Sequence, residues 1–141
     1  MGSIPFFLLL EEAIEGKIKT AGPAKMTGVE LIVLSVLALD REVNNGGYKQ
    51  FFSNSSRRFA PMIVNHLFII GCTAIADITQ EALDSLDLPK LSVSAIEAAL
   101  KTESEKRDRM LNRCDLAFYE KPSPFGQLFS YVKTHQDGIQ I

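Results

Sequence analysis

Apolar positions recur at three- and four-residue spacing along most of this chain, the period of an amphipathic helix. Phe7, Leu10, Ile14 and Ile18 share one face of a first helix, with Glu11, Glu12, Glu15 and Lys19 on the other. Gly22 and Pro23 place a loop over Thr20 to Lys25. Thr27-Gly28-Val29-Glu30 fits a capping box, in which the Thr27 hydroxyl accepts the Glu30 amide and the Glu30 carboxylate reaches back to the Thr27 amide. The segment that follows is apolar nearly all round as far as Leu39, which predicts a helix buried on every side at the centre of the fold. Asp40, Arg41 and Glu42 mark its emergence, and the Asn44-Asn45-Gly46-Gly47 turn ends it. Asn and Gly enter positive φ at low cost, and side-chain amides satisfy loose backbone groups at a helix end.

Tyr48 to Ser53 reads as a short helix and Asn54 to Arg58 as a polar loop. Pro61 suits the first turn of the next helix, where its missing amide costs nothing. That helix starts near Met62 and carries its apolar stripe through Ile75, Ile78, Ala82 and Leu83, with Gly71 bending it or allowing close packing. Leu86 to Leu91 is a linker. Ser94-x-x-Glu97 is a second capping box, opening a long helix whose buried face includes Ile96, Leu100, Leu111, Cys114 and Phe118. Glu103 with Arg107 and Glu105 with Arg109 stand at the favourable i,i+4 spacing. Pro122 and Pro124 break the chain before a last amphipathic helix with Phe125, Leu128, Phe129 and Val132. No segment alternates with period two. The fold class is all-α, a compact bundle of about five to seven helices around a buried central helix, with residues 1–141 forming one domain.

Composition adds few constraints. Hydrophobic residues make up 46% and charged residues 23%, as in an ordinary globular protein. Seventeen acids against fifteen Lys and Arg leave a net charge of -2, and no basic stripe marks a nucleic-acid binder. The apolar runs Leu31 to Leu39 and Leu67 to Ala76 are too short to span a bilayer. Ile4 to Leu10 lacks the preceding basic residue and the cleavage pattern of a signal peptide. Met1-Gly2-Ser3 reads equally as native or as an appended start. A cytoplasmic protein with two buried free thiols, Cys72 and Cys114, is the expectation. His66 and His135 lack the spacing to join those thiols in a zinc site. No metal or cofactor is expected, and no catalytic residue emerges. Arg57-Arg58 reads as solvated surface.

The unusual corner is Glu42-Val43-Asn44-Asn45-Gly46-Gly47-Tyr48 with Gln50-Phe51-Phe52-x-Asn54. Read as structure, Asn44 and Asn45 cap, Gly46 and Gly47 turn, and Tyr48, Phe51 and Phe52 wedge a short helix under the core. Adjacent Phe51 and Phe52 cannot share one helix face, so one points toward another element or a second subunit. Asn54 ties the loop back. Read as function, the same set lines a groove for a partner. These residues, with Ile70-Gly71 and Ala74, resemble a bacterial helical family typified by DNA mimic protein nineteen, from about Thr27 to the C-terminal helix. The resemblance implies an all-helical fold, homodimerisation, no enzymatic activity, and surface carboxylates that stand in for DNA phosphates to occupy a DNA-binding protein.

Two readings follow, with a third behind them. In the first, the chain is a protein-interaction module that regulates a DNA-binding protein without touching nucleic acid or membrane. Its acidic candidates are Glu11, Glu12, Glu15, Asp40, Glu42, Asp84 and Asp87. In the second, it is a ligand-binding protein or enzyme with a pocket near Asn44, Asn45, Tyr48 and His66. The third is a toxin-neutralising, immunity-type protein.

Overall fold

A computed structural model describes residues 3–141, with Ser3 and Ile4 as backbone only. The reading of Met1-Gly2 therefore lies outside the described residues. Seven α-helices and no strand are found among the described residues. They are α1 (Ser3–Ala21), α2 (Gly28–Ser53), α3 (Ala60–Ile69), α4 (Thr73–Asp84), α5 (Val93–Leu100), α6 (Glu105–Tyr119) and α7 (Phe125–Thr134), with short 3-10 turns at Pro23–Lys25, Ser55–Phe59 and Gln136–Gly138. None is long and apolar enough to cross a membrane.

Helix α2 is the axis. Every residue from Ile32 to Asp40 is buried, because α1, α3, α6 and α7 all pack on it. Its start is the expected capping box: Thr27 Oγ1 accepts the Glu30 amide at 3.1 Å and Glu30 Oε1 accepts the Thr27 amide at 2.9 Å. Glu30 is fully buried and does more than cap. It pairs with Lys17 of α1, and its second oxygen accepts the Gln140 amide at 2.6 Å. Burial pushes its carboxyl up, but the bonds from Lys17, Thr27 and Gln140 outweigh that and hold it below the ordinary range. Thr27 also donates to the Gly138 carbonyl, and a Cβ on Gly138 would stand 2.6 Å from that of Val29. One carboxylate thus joins α1, the head of α2 and the segment after α7.

Several boundaries differ from the sequence pattern. The stripe from Met62 to Leu83 is two helices, because Gly71 takes φ +89° and reverses the chain so that α3 and α4 pack on each other. The cap of α5 is Ser92, which accepts the Ala95 amide at 3.1 Å. Ser94 falls inside the first turn, and Glu97 reaches Arg57 at 3.0 Å instead of closing a box. The long helix expected from Ser94 is also divided. Ser104 caps α6, and buried Arg107 donates to the carbonyls of Ala99 at 3.1 Å and Thr102 at 2.8 Å, terminating α5. The Glu103–Arg107 pair is therefore not made. The Glu105–Arg109 pair is, at 3.9 Å and fully on the surface.

Candidate functional site

The corner is an elbow within α2. Asn44 and Asn45 remain helical, and only Gly46 (φ -154°) and Gly47 (φ +80°) leave the helical region. The break is thus two residues wide, narrower than the four-residue turn expected. It frees carbonyls on one side and amides on the other. Helix α6 supplies partners for both. Tyr119 donates its hydroxyl to the Val43 carbonyl at 2.7 Å, and Asp115 accepts the Tyr48 amide at 2.7 Å. These two residues lie one helical turn apart, so α6 splints both halves of the bent rod. A carboxylate at a new helix start also suits the helix dipole. Gly47 has a second reason to be glycine, since a Cβ there would stand 2.8 Å from the Asp115 Cγ.

The remaining members lock the bend. Glu42 Oε2 accepts from Gln50 at 2.6 Å and from Asn54 at 3.0 Å, tying the upper limb to the lower. Asn44 donates back to the Asp40 carbonyl at 2.8 Å and to its carboxylate at 3.1 Å. Tyr48, Phe51 and Phe52 are fully buried, so neither phenylalanine is available to a second subunit. Tyr48 stacks edge-on to Phe118 at 6.0 Å, and its hydroxyl bonds Thr79 of α4 at 2.8 Å. Burial pushes the Tyr48 phenol well up. Asn45 and Asn54 face solvent.

Of the groups named for a pocket reading, Asn44, Tyr48 and His66 are engaged in holding the fold, and Asn45 is not. His66 is buried, and its Nδ1 lies 2.7 Å from Ser35 Oγ. Ser35 Oγ also lies 3.0 Å from the Ile32 carbonyl, so the ring and the hydroxyl are both engaged within the core. Burial lowers the His66 pKa and favours the neutral ring. Both thiols are free and buried. Burial raises the pKa of each, and Cys114, which also feels Glu81 and Asp115, is pushed up to about 11. Among the described residues no group of three or more His, Cys, Asp or Glu is placed to hold a metal.

The acidic candidates do not gather on one face. Glu11 is gripped by Arg41 at 3.0 and 3.1 Å, and Glu15 lies 3.8 Å from Arg58. Glu12 is exposed on the same helix. Asp40 is only 7% exposed, which corrects its placing at the point of emergence: the packed neighbours of α2 extend one residue further. Burial raises its carboxyl, partly offset by Asn44. Asp115 is raised by burial too, against the opposing bond from Tyr48. Glu42 is committed to the elbow.

Asp84 and Asp87 stand elsewhere, and α4 carries two further acids that the sequence reading passed over. Asp77, Glu81 and Asp84 are exposed at i, i+4 and i+7, opposite the buried stripe of Ile75, Ile78, Ala82 and Leu83. No Lys or Arg occurs in α4. Among the described residues Asp77, Glu81, Asp84 and Asp87 take part in no salt bridge. Glu81 and Arg113 both act on the Cys114 thiol, so one cation borders the stripe on the α6 side. The spacing was legible in the sequence once the helix boundary at Thr73 is known. Asp115 and Tyr119 carried no local signal, as they act across 67 and 76 residues.

At its C-terminal end the stripe meets a groove of about 740 Å³ between α4 and the linker 85–92. Pro61, Leu83, Leu88, Pro89 and Leu91 line it, together with Gln80, Asp84, Asp87, Lys90 and Ser92.

No curated protein and no solved structure matched the chain. A family model described as DMP19-like protein matches residues 24–135, a span that includes the elbow, the α4 stripe and both splinting residues of α6. The chain belongs to the DMP19-like family.

Proposed function

We propose that this protein is a non-enzymatic interaction module that occupies the DNA-contacting surface of a DNA-binding protein, with the exposed face of α4 as the phosphate-like element. The observation that carries the reading is the row Asp77, Glu81 and Asp84, continued by Asp87, on a helix without a basic residue. By contrast, the α1 acids Glu11 and Glu15 face Arg41 and Arg58. From Asp77 to Asp84 the helix rises about 10 Å, so three carboxylates stand at roughly 5 Å intervals along it. One DNA strand presents a phosphate about every 3.4 Å of axis. The stripe is sparser than one strand, and a basic surface that meets phosphates in a row meets it in a similar register. Membership of the DMP19-like family is consistent with such a role. The burial of Tyr48 and His66 and the hydrogen bonds that hold Asn44 and Glu42 favour an outward-facing role elsewhere over chemistry at the corner. Homodimerisation belongs to the same proposal. Leu8 and Leu9 on α1, 64% and 68% exposed, are the most exposed large apolar side chains described beside Leu116.

The test is capture from native extract on immobilised wild-type protein, followed by elution with duplex DNA. A DNA-binding protein that duplex DNA elutes, and that the D77N/E81Q/D84N variant fails to retain, supports the reading. A partner that resists duplex DNA, or that the triple variant retains undiminished, refutes it.

A further inference from the structure

Charge imitation alone cannot select one DNA-binding protein among many, because every such surface accepts a row of negative charges. Selection requires a contact that DNA itself does not offer. We infer that the groove at the end of α4 supplies it, by taking a partner segment in which one basic side chain is followed by an apolar one. This rests on the reading of the α4 face given above.

The groove differs from the stripe in three respects. Its lining is half apolar, with Pro61, Leu83, Leu88, Pro89 and Leu91 beside five polar residues, whereas the exposed row on α4 is made of carboxylates. Its walls are also stiff. Two prolines limit the backbone, and the turn into the linker is held by amide bonds from Leu86 to Leu83 and from Asp87 to Asp84, at 3.1 and 3.0 Å. Asp87 is the one described non-glycine residue at positive φ, +52°, a conformation that Asp and Asn tolerate better than other side chains. A surface formed in advance loses little freedom on binding.

The third difference is the charge pattern. Asp84 and Asp87 line the groove where it joins α4, and Lys90 lines it on the linker side beyond Pro89. The carboxylates attract one cation, and Lys90 repels a second one on the linker side. A run of basic residues suits the stripe, but the groove suits a single Arg or Lys beside a leucine-like side chain. A phosphodiester backbone, with no apolar side chain to offer and no cation, has no counterpart here. Occupancy of the groove therefore separates a protein partner from a merely basic surface.

Three short peptides test this by amide chemical-shift titration of the full chain: acetyl-Arg-Leu-Leu-amide, acetyl-Arg-Gly-Gly-amide, and the first peptide with citrulline in place of arginine. The leucine peptide should shift the amides of residues 84–92 and bind about fivefold more tightly than the glycine peptide, the order expected for partly burying one leucine side chain. The citrulline peptide, which keeps both leucines but lacks the cation, should bind more weakly than the arginine-leucine peptide. D87N, which keeps a side chain suited to the left-handed backbone, should weaken the leucine peptide by about threefold. If both arginine peptides shift residues 77–84 equally and residues 86–92 stay still, the groove inference falls and the stripe reading stands. If neither moves α4, both fall.

Discussion

Replacing Gly47 with alanine tests the elbow most directly. Two costs combine. The residue sits at φ +80°, where a Cβ costs about 1–2 kcal/mol. That Cβ also collides with the Asp115 carboxylate, which must withdraw from the Tyr48 amide it accepts at 2.7 Å. A hydrogen bond to a charged group contributes about 1.5–3 kcal/mol. The sum is about 3 kcal/mol, a large part of the roughly 5–15 kcal/mol that holds a domain together. For a chain of this size the midpoint should fall by about 10 °C. Thermal and urea unfolding followed by helical circular dichroism, with G47A, D115A and the double variant, measure the midpoint and the free energy. In the D115A background the collision is gone, so adding G47A should cost only the backbone strain, and the cycle should show non-additivity of about 1.5 kcal/mol or more. Gly16 provides a control of opposite sign. It lies within α1, and an added Cβ meets nothing within 4 Å, so G16A should stabilise by about 0.5–1 kcal/mol. A neutral G47A, or strict additivity in the cycle, would refute the account of the elbow.

Glu30 and Asp40 give pH predictions of opposite sign. Glu30 has its folded pKa lowered. Its contribution is present above the ordinary carboxylate value of 4.5 and is lost as pH falls through the lowered folded value. E30A should cost about 3 kcal/mol at pH 7, since it removes the carboxylate paired with Lys17 and leaves the Thr27 and Gln140 amides without their acceptor. It should also speed hydrogen exchange at Gln140, and the deficit should shrink in acid. Asp40 has its folded pKa raised by burial. Wild type therefore loses stability as pH rises through that raised value, so D40N, which retains an acceptor for Asn44, should be more stable than wild type at pH 7. That gain should vanish as pH approaches 3.8, the ordinary value. Denaturant midpoints between pH 3.5 and 7.5 check both variants, and a D40N advantage that grows in acid would contradict the burial argument.

The helical period, the capping box at Thr27 and Glu30, and the all-round apolar run to Leu39 determined the architecture in advance. Each rests on contacts within four residues, or on the rule that a segment apolar on every side is buried on every side. Gly46 and Gly47 announced a break for the same local reason. Tertiary contacts decided what the break is for. Asp115 and Tyr119 splint it from another helix, and nothing near them in the chain signals that role. The same holds for Arg107, which ends α5 by reaching back to Ala99 and Thr102 and so overrides the charge pairing that its spacing suggested. Periodicity reports a buried face and not where the helix carrying it stops: Gly71 is legible as a bend but not as a full reversal, and the Ser104 cap, although local to Arg107, sits between two stretches of one apparent stripe. The acidic residues show the limit most clearly. The sequence states how many there are, but whether a carboxylate is buried like Asp40, paired like Glu11 or without a salt bridge as on α4 depends on which helices pack beside it, because charge acts through distance and solvent and not through position in the chain.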